Sequence, residues 1–258
     1  MIKAIFFDVD GTLVSFQTHR VPDSTLNALH RLKEQGIKLF LCTGRHPSMV
    51  RDLMELFPFD GMVAFTGQYC SLGDQVLYQN PLPADLMEQL SHATEKYGFP
   101  TIYFGGDEIF VLSYGPFVDF FQRTFSLPHP PIRPLSHTLE VPVYQVVIAL
   151  KEEEEEEKLR AFAPFLNGAR WHPDFLDALP QGGGKDVGMQ VLMDHLGIQR
   201  SEVMAFGDGG NDLPMLLHAG IGVAMGTASD DVKAQADYVT DPVDEDGVVN
   251  ALKHFGLV

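Results

Sequence analysis

Apolar runs alternate with amphipathic segments along the first 80 residues of the chain. Residues 4–7, 37–42 and 61–65 are apolar runs of strand length. Between them, leucines recur at helical spacing within 22–35, and 47–57 has the pattern of a second helix. Strands that alternate with helices favour a parallel sheet with helices on its faces. This part of the chain therefore predicts consecutive βαβ units.

The pattern changes between residues 81 and 180. A helix is predicted over 84–97, and strands are predicted near 101–104, 109–112 and 144–150. Helices and strands do not alternate strictly here, which is typical of an α+β arrangement. We interpret this segment as a second domain inserted into the first.

Alternation returns after three consecutive glycines at 182–184. The predicted elements are a helix at 186–196, a strand at 203–206, a helix at 213–218, a strand at 221–223 and a helix near 248–253. We therefore expect an α/β protein with a three-layer, doubly wound parallel sheet. Residues 1–80 and 181–258 would form this core, and 81–180 would form an inserted α+β cap domain.

Charge and hydropathy narrow the classes of partner. The 258 residues carry 18 basic and 35 acidic side chains, a net charge of −17, which disfavours nucleic acid and anionic membrane surfaces as partners. No apolar segment reaches the roughly 18 residues needed to span a bilayer. Met1 leads directly into an apolar strand, so we expect no signal peptide and a cytoplasmic location. The two cysteines, Cys42 and Cys70, are predicted to be small buried hydrophobes.

The first strand ends in two carboxylates, Asp8 and Asp10, followed by a glycine. Strand residues two apart project to the same side, about 6.6 Å apart. Two anions held that close favour a cation, and Mg²⁺ suits a site that offers one or two carboxylates. An ordinary strand that ends in a polar turn is the alternative, and this motif alone does not decide between them.

Further polar motifs follow other predicted strands or precede a helix. Thr43 offers a hydroxyl and Gly44 an unobstructed backbone N–H, both suited to a phosphoryl oxygen. Lys185 ends a glycine-rich loop that lacks the spacing of a nucleotide-binding P-loop. Asp208, Asn211 and Asp212 crowd one turn, more than helix capping requires. In doubly wound sheets, ligands bind at the carboxyl ends of strands, so these motifs predict one shared site.

Taken together, these motifs resemble those of the haloacid dehalogenase (HAD) superfamily in order and position. The resemblance covers essentially the whole chain. The segment 219–248 is similar to the Cof-type, sugar-phosphatase-like branch. That branch carries a large α/β cap of type C2 between its second and third motifs, which is where the insert is predicted here.

The resemblance implies roles for the acidic residues. Asp8 would attack phosphorus and form an aspartyl-phosphate, and Asp10 would protonate the leaving oxygen and then activate water. Mg²⁺ would be held by Asp8, the backbone carbonyl of Asp10, and Asp208.

The same resemblance implies a phosphate-binding set. Thr43, Gly44, Lys185 and Asn211 would bind the phosphoryl oxygens. Asp212 would orient either Lys185 or a metal-bound water. A cation and a lysine are also required on physical grounds, because a phosphate dianion would otherwise meet only like charges at this site.

We expect a Mg²⁺-dependent phosphatase that acts on a small phosphate monoester, such as a sugar phosphate or a similar metabolite. A phosphomannomutase-like sugar phosphomutase is an alternative, and it would need basic residues on the cap. Candidates for that role are Arg123, Arg133, Arg160 and Arg170. A non-catalytic sensor of phosphorylated metabolites is a third interpretation, which the intact set of catalytic side chains disfavours.

Overall fold

The chain separates into two compact units. Unit 1 comprises Met1–Gln79 and Gly184–Val258, and unit 2 comprises Asn80–Gly183. The computed structural model describes residues 1–125, 127, 129–160, 167–172 and 174–258.

The described residues form thirteen strands. In chain order they are β1 (Ala4–Phe7), β2 (Lys38–Cys42), β3 (Gly61–Ala64), β4 (Tyr69–Leu72), β5 (Gln75–Gln79), β6 (Thr101–Gly105), β7 (Ile109–Val111), β8 (Val143–Ile148), β9 (Asn167–His172), β10 (Phe175–Leu179), β11 (Val203–Gly207), β12 (Ile221–Ala224) and β13 (Tyr238–Val239).

The same described residues form ten α-helices. They are α1 (Asp23–Glu34), α2 (Arg51–Leu56), α3 (Ala84–Tyr97), α4 (Pro116–Phe125), α5 (His137–Glu140), α6 (Glu152–Glu155), α7 (Lys185–Leu196), α8 (Leu213–His218), α9 (Asp230–Lys233) and α10 (Gly247–His254). None of these helices is both long and apolar enough to cross a bilayer.

Unit 1 contains one eight-stranded sheet in the order β13-β12-β11-β1-β2-β3-β4-β5. β1 lies in the middle and pairs in parallel with both β11 and β2, so Phe7 is in register with Phe206 and with Leu41. The predicted parallel sheet is confirmed. The antiparallel hairpin of β4 and β5 was not predicted. Its turn contains Gly73 at φ +53°, and a Gly-Asp pair between two short apolar runs is the signal that could have indicated it.

Both faces of the unit 1 sheet are buried, which explains why its strands are apolar without alternation. On one face, Ile5 and Phe7 pack with Leu39 and with residues of α1 and α10. On the other face, Phe6 and Phe40 pack with residues of α7 and α8. The result is a three-layer core in which β1 is enclosed on every side and only its ends can meet solvent.

Unit 2 is built on a five-stranded sheet in the order β7-β6-β8-β10-β9. The pairings within it are antiparallel. Leu86 and Leu90 of α3 pack on the sheet with Tyr103, Val146 and Leu176. Unit 2 is therefore of the α+β type.

The segment predicted as one helix over 47–57 is divided. A 3₁₀ turn occupies Pro47–Val50, and α2 begins only at Arg51. His46 precedes the turn, and its Nδ1 accepts a hydrogen bond from the Ser48 backbone N–H at 3.0 Å. Proline at the first position suits a helix start, because its missing N–H would have no intrahelical partner there.

Candidate active site

Three neighbouring strands of the unit 1 sheet end in polar side chains. Asp8 follows β1, Thr43 follows β2 and Asp208 follows β11. Because β1 is parallel to both neighbours, the three carboxyl ends meet at one edge of the sheet. Ligands of open α/β sheets bind at the carboxyl ends of the strands, so we place the candidate site at this edge.

The Lys185 ammonium is buried between two carboxylates. Its Nζ lies 2.5 Å from Asp8 Oδ1 and 2.5 Å from Asp212 Oδ1, and its side chain has no solvent exposure. Burial would lower the pKa of Lys185, but the nearby charges of Asp212 and Asp8 outweigh burial and raise this pKa. The ammonium therefore stays charged, and it fixes the carboxylate at the end of β1.

Asp212 connects this lysine to the turn that follows β11. While its Oδ1 accepts from Lys185, its Oδ2 accepts hydrogen bonds from the backbone N–H groups of Asp208 and Gly209 at 3.0 and 2.8 Å. Both of its oxygens are thus engaged by donors within the protein. Of the two tasks left open by the sequence, this geometry favours orienting Lys185.

Asp208 stands beside the end of β1 and is suited to hold a cation with Asp8. Carboxylate oxygens of Asp8, Asp208 and Asp212 all lie within 4.8 Å of one another. Thr12 donates a long hydrogen bond to Asp208 Oδ1 at 3.5 Å. Gly11 has φ +80°, and a Cβ at this position would overlap with Asp208 Oδ2. Glycine is required there by both the backbone conformation and the close approach of the carboxylate.

The cluster carries more negative charge than its single lysine neutralises. Burial and the charge of Asp212 raise the pKa of Asp8 well above its usual range, against the lowering effect of Lys185. Burial and Asp212 likewise raise the pKa of Asp208 to about 7. Such a set of oxygen ligands fits a hard divalent cation, whose charge would stabilise both carboxylates in their ionised form.

Asp10 has a different partner, Arg45. The Arg45 Nε lies 2.9 Å from Asp10 Oδ2, and one terminal nitrogen lies 2.6 Å from Asp10 Oδ1. The pair is partly exposed, at 24% for the arginine side chain and 37% for the aspartate. Asp8 and Asp10 therefore lie two residues apart in different environments.

The residues predicted to bind phosphate follow strands that end at the same edge of the sheet, Thr43 and Gly44 after β2 and Asn211 after β11. Thr43 is buried, and its hydroxyl accepts a hydrogen bond from the Arg45 backbone N–H at 3.1 Å. A Cβ on Gly44 would lie 3.2 Å from Thr66 Oγ1, which is a tight contact. Glycine at this position therefore leaves room beside the Thr66 hydroxyl. Asn211 lies in the 3₁₀ turn Gly210–Asp212 and its side chain is exposed.

Cys42 lies next to the site, but its thiol is unreactive. It is fully buried, and its Sγ donates a hydrogen bond to the Lys185 carbonyl at 3.8 Å. Burial raises the pKa of its thiol far above the ordinary value. Because the thiolate is the reactive form, Cys42 packs as a small hydrophobe, and Cys70 is buried in the same way.

Two residues of the site were not singled out by the sequence. Arg45 follows Thr43 and Gly44 at a predicted strand end, and a guanidinium so close to a candidate site was the available signal. Thr12 follows the Asp-Gly turn, but its contact with Asp208 spans 196 residues of sequence and left no local pattern.

Comparisons with known proteins show which family and which solved structures this chain resembles. A sequence model of the haloacid dehalogenase-like hydrolases matches residues 5–252. The chain is similar to the solved structure of a HAD subclass IIB sugar phosphatase, BT4131, with 41% identity, a TM-score of 0.90, and coverage of 99% of this chain and 100% of that one.

Two further proteins show the same kind of similarity. BT1666 from Bacteroides thetaiotaomicron, a phosphatase of the same superfamily, has 38% identity, a TM-score of 0.91, and coverage of 100% of this chain and 96% of its own. The 5-amino-6-(5-phospho-D-ribitylamino)uracil phosphatase YitU of Bacillus subtilis (strain 168) is 32% identical over 267 residues, which cover 97% of this chain and 96% of the relative.

Proposed function

The chain belongs to the haloacid dehalogenase-like hydrolases, and from this membership we propose that it is a Mg²⁺-dependent phosphatase that hydrolyses small phosphate monoesters through an aspartyl-phosphate. The observation that carries the proposal is the fixed, buried Asp8. Its Oδ1 is held by Lys185, and among the described residues no hydrogen bond engages its Oδ2. One oxygen is thus anchored, and the other is available to attack phosphorus.

The reaction divides into two displacements at phosphorus. In the first, an Asp8 oxygen forms a bond to phosphorus while the ester P–O bond breaks, and the leaving oxygen takes a proton from the Asp10 carboxyl. In the second, water attacks phosphorus and passes a proton to Asp10, while the bond between phosphorus and the Asp8 oxygen breaks, so that inorganic phosphate departs and the Asp8 carboxylate is restored. Splitting the hydrolysis in this way replaces one difficult step by two easier ones.

Lys185 and residues that follow β2 and β11 would bind the phosphoryl oxygens. Lys185 supplies a positive charge, Thr43 a hydroxyl and Gly44 a backbone N–H, and Asn211 would add an amide from the opposite turn. Positive charge is needed at this point because Asp8, Asp208 and the whole chain, at net −17, repel an incoming phosphate.

The residues that would hold Mg²⁺ are Asp8, the backbone carbonyl of Asp10, and Asp208. When bound, the ion would neutralise negative charge on the transferring phosphoryl group. The observation behind this assignment is the cluster of carboxylate oxygens within 4.8 Å of one another, which exceeds in charge what Lys185 neutralises. Asp212 is left out, because both its oxygens accept hydrogen bonds from protein donors.

The substrate class is proposed from the relatives. Those compared above are named as a sugar phosphatase and as a phosphatase of a ribitylaminouracil phosphate. Both names describe a small, polar, phosphorylated metabolite. We propose the same class for this chain, with the cytoplasm as its location.

The phosphomutase alternative depends on basic residues of unit 2 that could hold a retained phosphoryl group. Two of the four candidates are engaged within unit 2. Arg123 donates through Nε to the Asp119 carbonyl at 3.1 Å, and Arg133 forms a bidentate ion pair with Glu108. The side chains of Arg160 and Arg170 lie outside the described residues. Because these two arginines already have partners within unit 2, they are less suited to hold a retained phosphoryl group, which favours the phosphatase over the mutase.

A test is the release of inorganic phosphate from a panel of sugar phosphates and nucleotides, with Mg²⁺ and with a chelator. We expect metal-dependent release that is abolished in Asp8→Asn, because an amide cannot attack phosphorus. The matched control is Asp52→Asn, a change of the same kind at an exposed position of α2. Release that persists in Asp8→Asn would refute the nucleophile, and activity only with added sugar bisphosphate would favour the mutase.

A further inference from the structure

Arg45 donates a hydrogen bond to each of the two carboxylate oxygens of Asp10. The two hydrogen bonds, at 2.9 and 2.6 Å, come from Nε and a terminal nitrogen on one side of the guanidinium. Two parallel bonds of this kind fix the plane of a carboxylate, which a single bond does not. The orientation of the Asp10 carboxyl is therefore set by a residue 35 positions away in sequence.

Arg45 is itself held by three further hydrogen bonds, one from its side chain and two from its backbone. Its other terminal nitrogen donates to the Met49 carbonyl at 3.2 Å, inside the 3₁₀ turn that precedes α2. Its backbone N–H is bound to the Thr43 hydroxyl, and its carbonyl accepts from the Phe65 N–H at 3.2 Å. A planar guanidinium held in this way is an oriented donor and loses little conformational freedom when it binds a carboxylate.

Asp10 needs such an external support. It lies beyond the end of β1, and its side chain is 37% exposed, so the packing that immobilises Asp8 is lacking. A group that gives a proton to one oxygen and later takes one from water has to be held near the productive geometry. A freely rotating carboxyl would spend most of its time elsewhere.

We propose that Arg45 is a positioning residue that orients the Asp10 carboxyl for proton transfer to the leaving group and from water. This inference rests on the proposed phosphatase function and deepens it. Arg45 transfers no proton itself. The proton passes between Asp10 and the leaving oxygen as the ester P–O bond breaks, and Arg45 only donates hydrogen bonds to the carboxyl that carries it.

Two esters with different leaving groups separate this role from direct phosphate binding. Nitrophenolate leaves without a proton, whereas an alkoxide requires one. In a two-step reaction, kcat/KM covers events up to the phosphorylated Asp8, and kcat also includes its hydrolysis. Loss of an oriented acid should therefore lower kcat/KM for an alkyl phosphate and spare it for p-nitrophenyl phosphate.

The experiment uses the full chain with saturating Mg²⁺ and compares wild type with Arg45→Ala. For a sugar phosphate that the wild type hydrolyses, we expect kcat/KM to fall about 100-fold, within the range that general acid–base catalysis contributes. For p-nitrophenyl phosphate, we expect kcat/KM within about threefold of wild type, while kcat and KM fall together because hydrolysis of the intermediate slows. Arg51→Ala, an exposed arginine nearby, should leave all values unchanged.

Equal losses of kcat/KM on both esters would overturn the proposal and indicate that Arg45 binds the phosphoryl group. No loss on either ester would also overturn it. A double variant gives a second criterion: in an Asp10→Asn background, Arg45→Ala should cause no further loss, since a residue that acts through Asp10 has nothing left to orient. Additive losses would contradict the proposal.

Arg45→Lys keeps the charge and covers the case in which the alanine variant fails to fold. An ammonium can contact one Asp10 oxygen but cannot supply two parallel bonds, so we expect a smaller loss, again confined to the sugar phosphate. Full wild-type activity in Arg45→Lys would contradict the orienting role. A wild type that releases phosphate from neither ester would instead count against the proposed function itself, apart from Arg45.

Discussion

Two ion pairs stand two residues apart at the end of β1, and they differ in almost every physical respect. Asp8 is 6% exposed and shares a fully buried lysine with Asp212. The Asp10 side chain is 37% exposed and is held by an arginine that is itself partly in solvent. A nucleophile has to remain an unprotonated, immobile anion. A proton carrier has to be oriented while it still reaches leaving group and water. In the proposed reaction, the buried pair keeps Asp8 immobile and the exposed pair orients Asp10, while ionisation of Asp8 against its raised pKa depends on Lys185 and a bound cation.

The largest effect should come from breaking the buried pair. In Lys185→Met two carboxylates are left without their counter-charge, so we expect the free energy of unfolding to fall by about 3–5 kcal/mol and turnover to disappear. Urea unfolding of the metal-free protein measures the first effect. Lys38→Met is the matched control, because that lysine pairs with Asp60 while 47% exposed, and should cost at most about 1 kcal/mol. Similar losses in both variants would contradict the distinction.

An effect of intermediate size is expected on the pH dependence of stability, because the carboxylates beside Lys185 carry more charge than this lysine neutralises. The pKa of Asp208 is raised to about 7, from an ordinary 3.8. Between these values the folded protein binds more protons than the unfolded one, so stability falls as pH rises through about 7. Without metal, we expect a lower melting temperature at pH 8 than at pH 5.5, and Mg²⁺ should restore it at pH 8.

Asp208→Asn sharpens this pH prediction. The variant should show a shallower decline between pH 5.5 and pH 8 and a smaller rise with Mg²⁺, because the titrating ligand is gone. Asp52→Asn, at an exposed position, should keep the wild-type slope. A slope that is the same in all three proteins would show that Asp208 does not carry the effect.

The smallest effect is expected at the exposed pair. Asp10→Asn should change the free energy of unfolding by no more than about 1 kcal/mol, since ion pairs near solvent contribute little. Turnover of a sugar phosphate should nevertheless fall strongly. Urea unfolding and steady-state kinetics on the same preparation measure both quantities. A loss of stability as large as that of Lys185→Met would remove the contrast between the two pairs.

The sequence predicted the framework of the site better than its contacts. Polar motifs after apolar strands indicated where Asp8, Thr43 and Asp208 would meet, because parallel strands end at one edge of a sheet. That inference needs only the strand assignments. The nucleophile, phosphate and metal roles remain proposals, because the pattern indicated only that a cation and a phosphate would suit this edge, and the role of each residue came from a resemblance.

Contacts between distant segments could not be predicted. Nothing in the local pattern around Arg45 indicates that its guanidinium turns toward Asp10 and not toward solvent, because that depends on how the turn carrying Met49 packs. The divided helix at 47–57 has a related cause, because it consists of two short elements whose propensities are weak beside tertiary packing. The β4–β5 hairpin differs, since the Gly73-Asp74 pair is a local turn signal.

The central position of β1 has a consequence for how the protein is made. This strand is synthesised before unit 2, yet one of its two neighbours is β11, and the lysine bound to Asp8 lies 177 residues later in the chain. Unit 2 is continuous in sequence, so it can fold on the ribosome while β1 still lacks its neighbour β11. We therefore expect catalytic competence to arise only after β11 has been synthesised, and the apolar β1 to be exposed to chaperones until then.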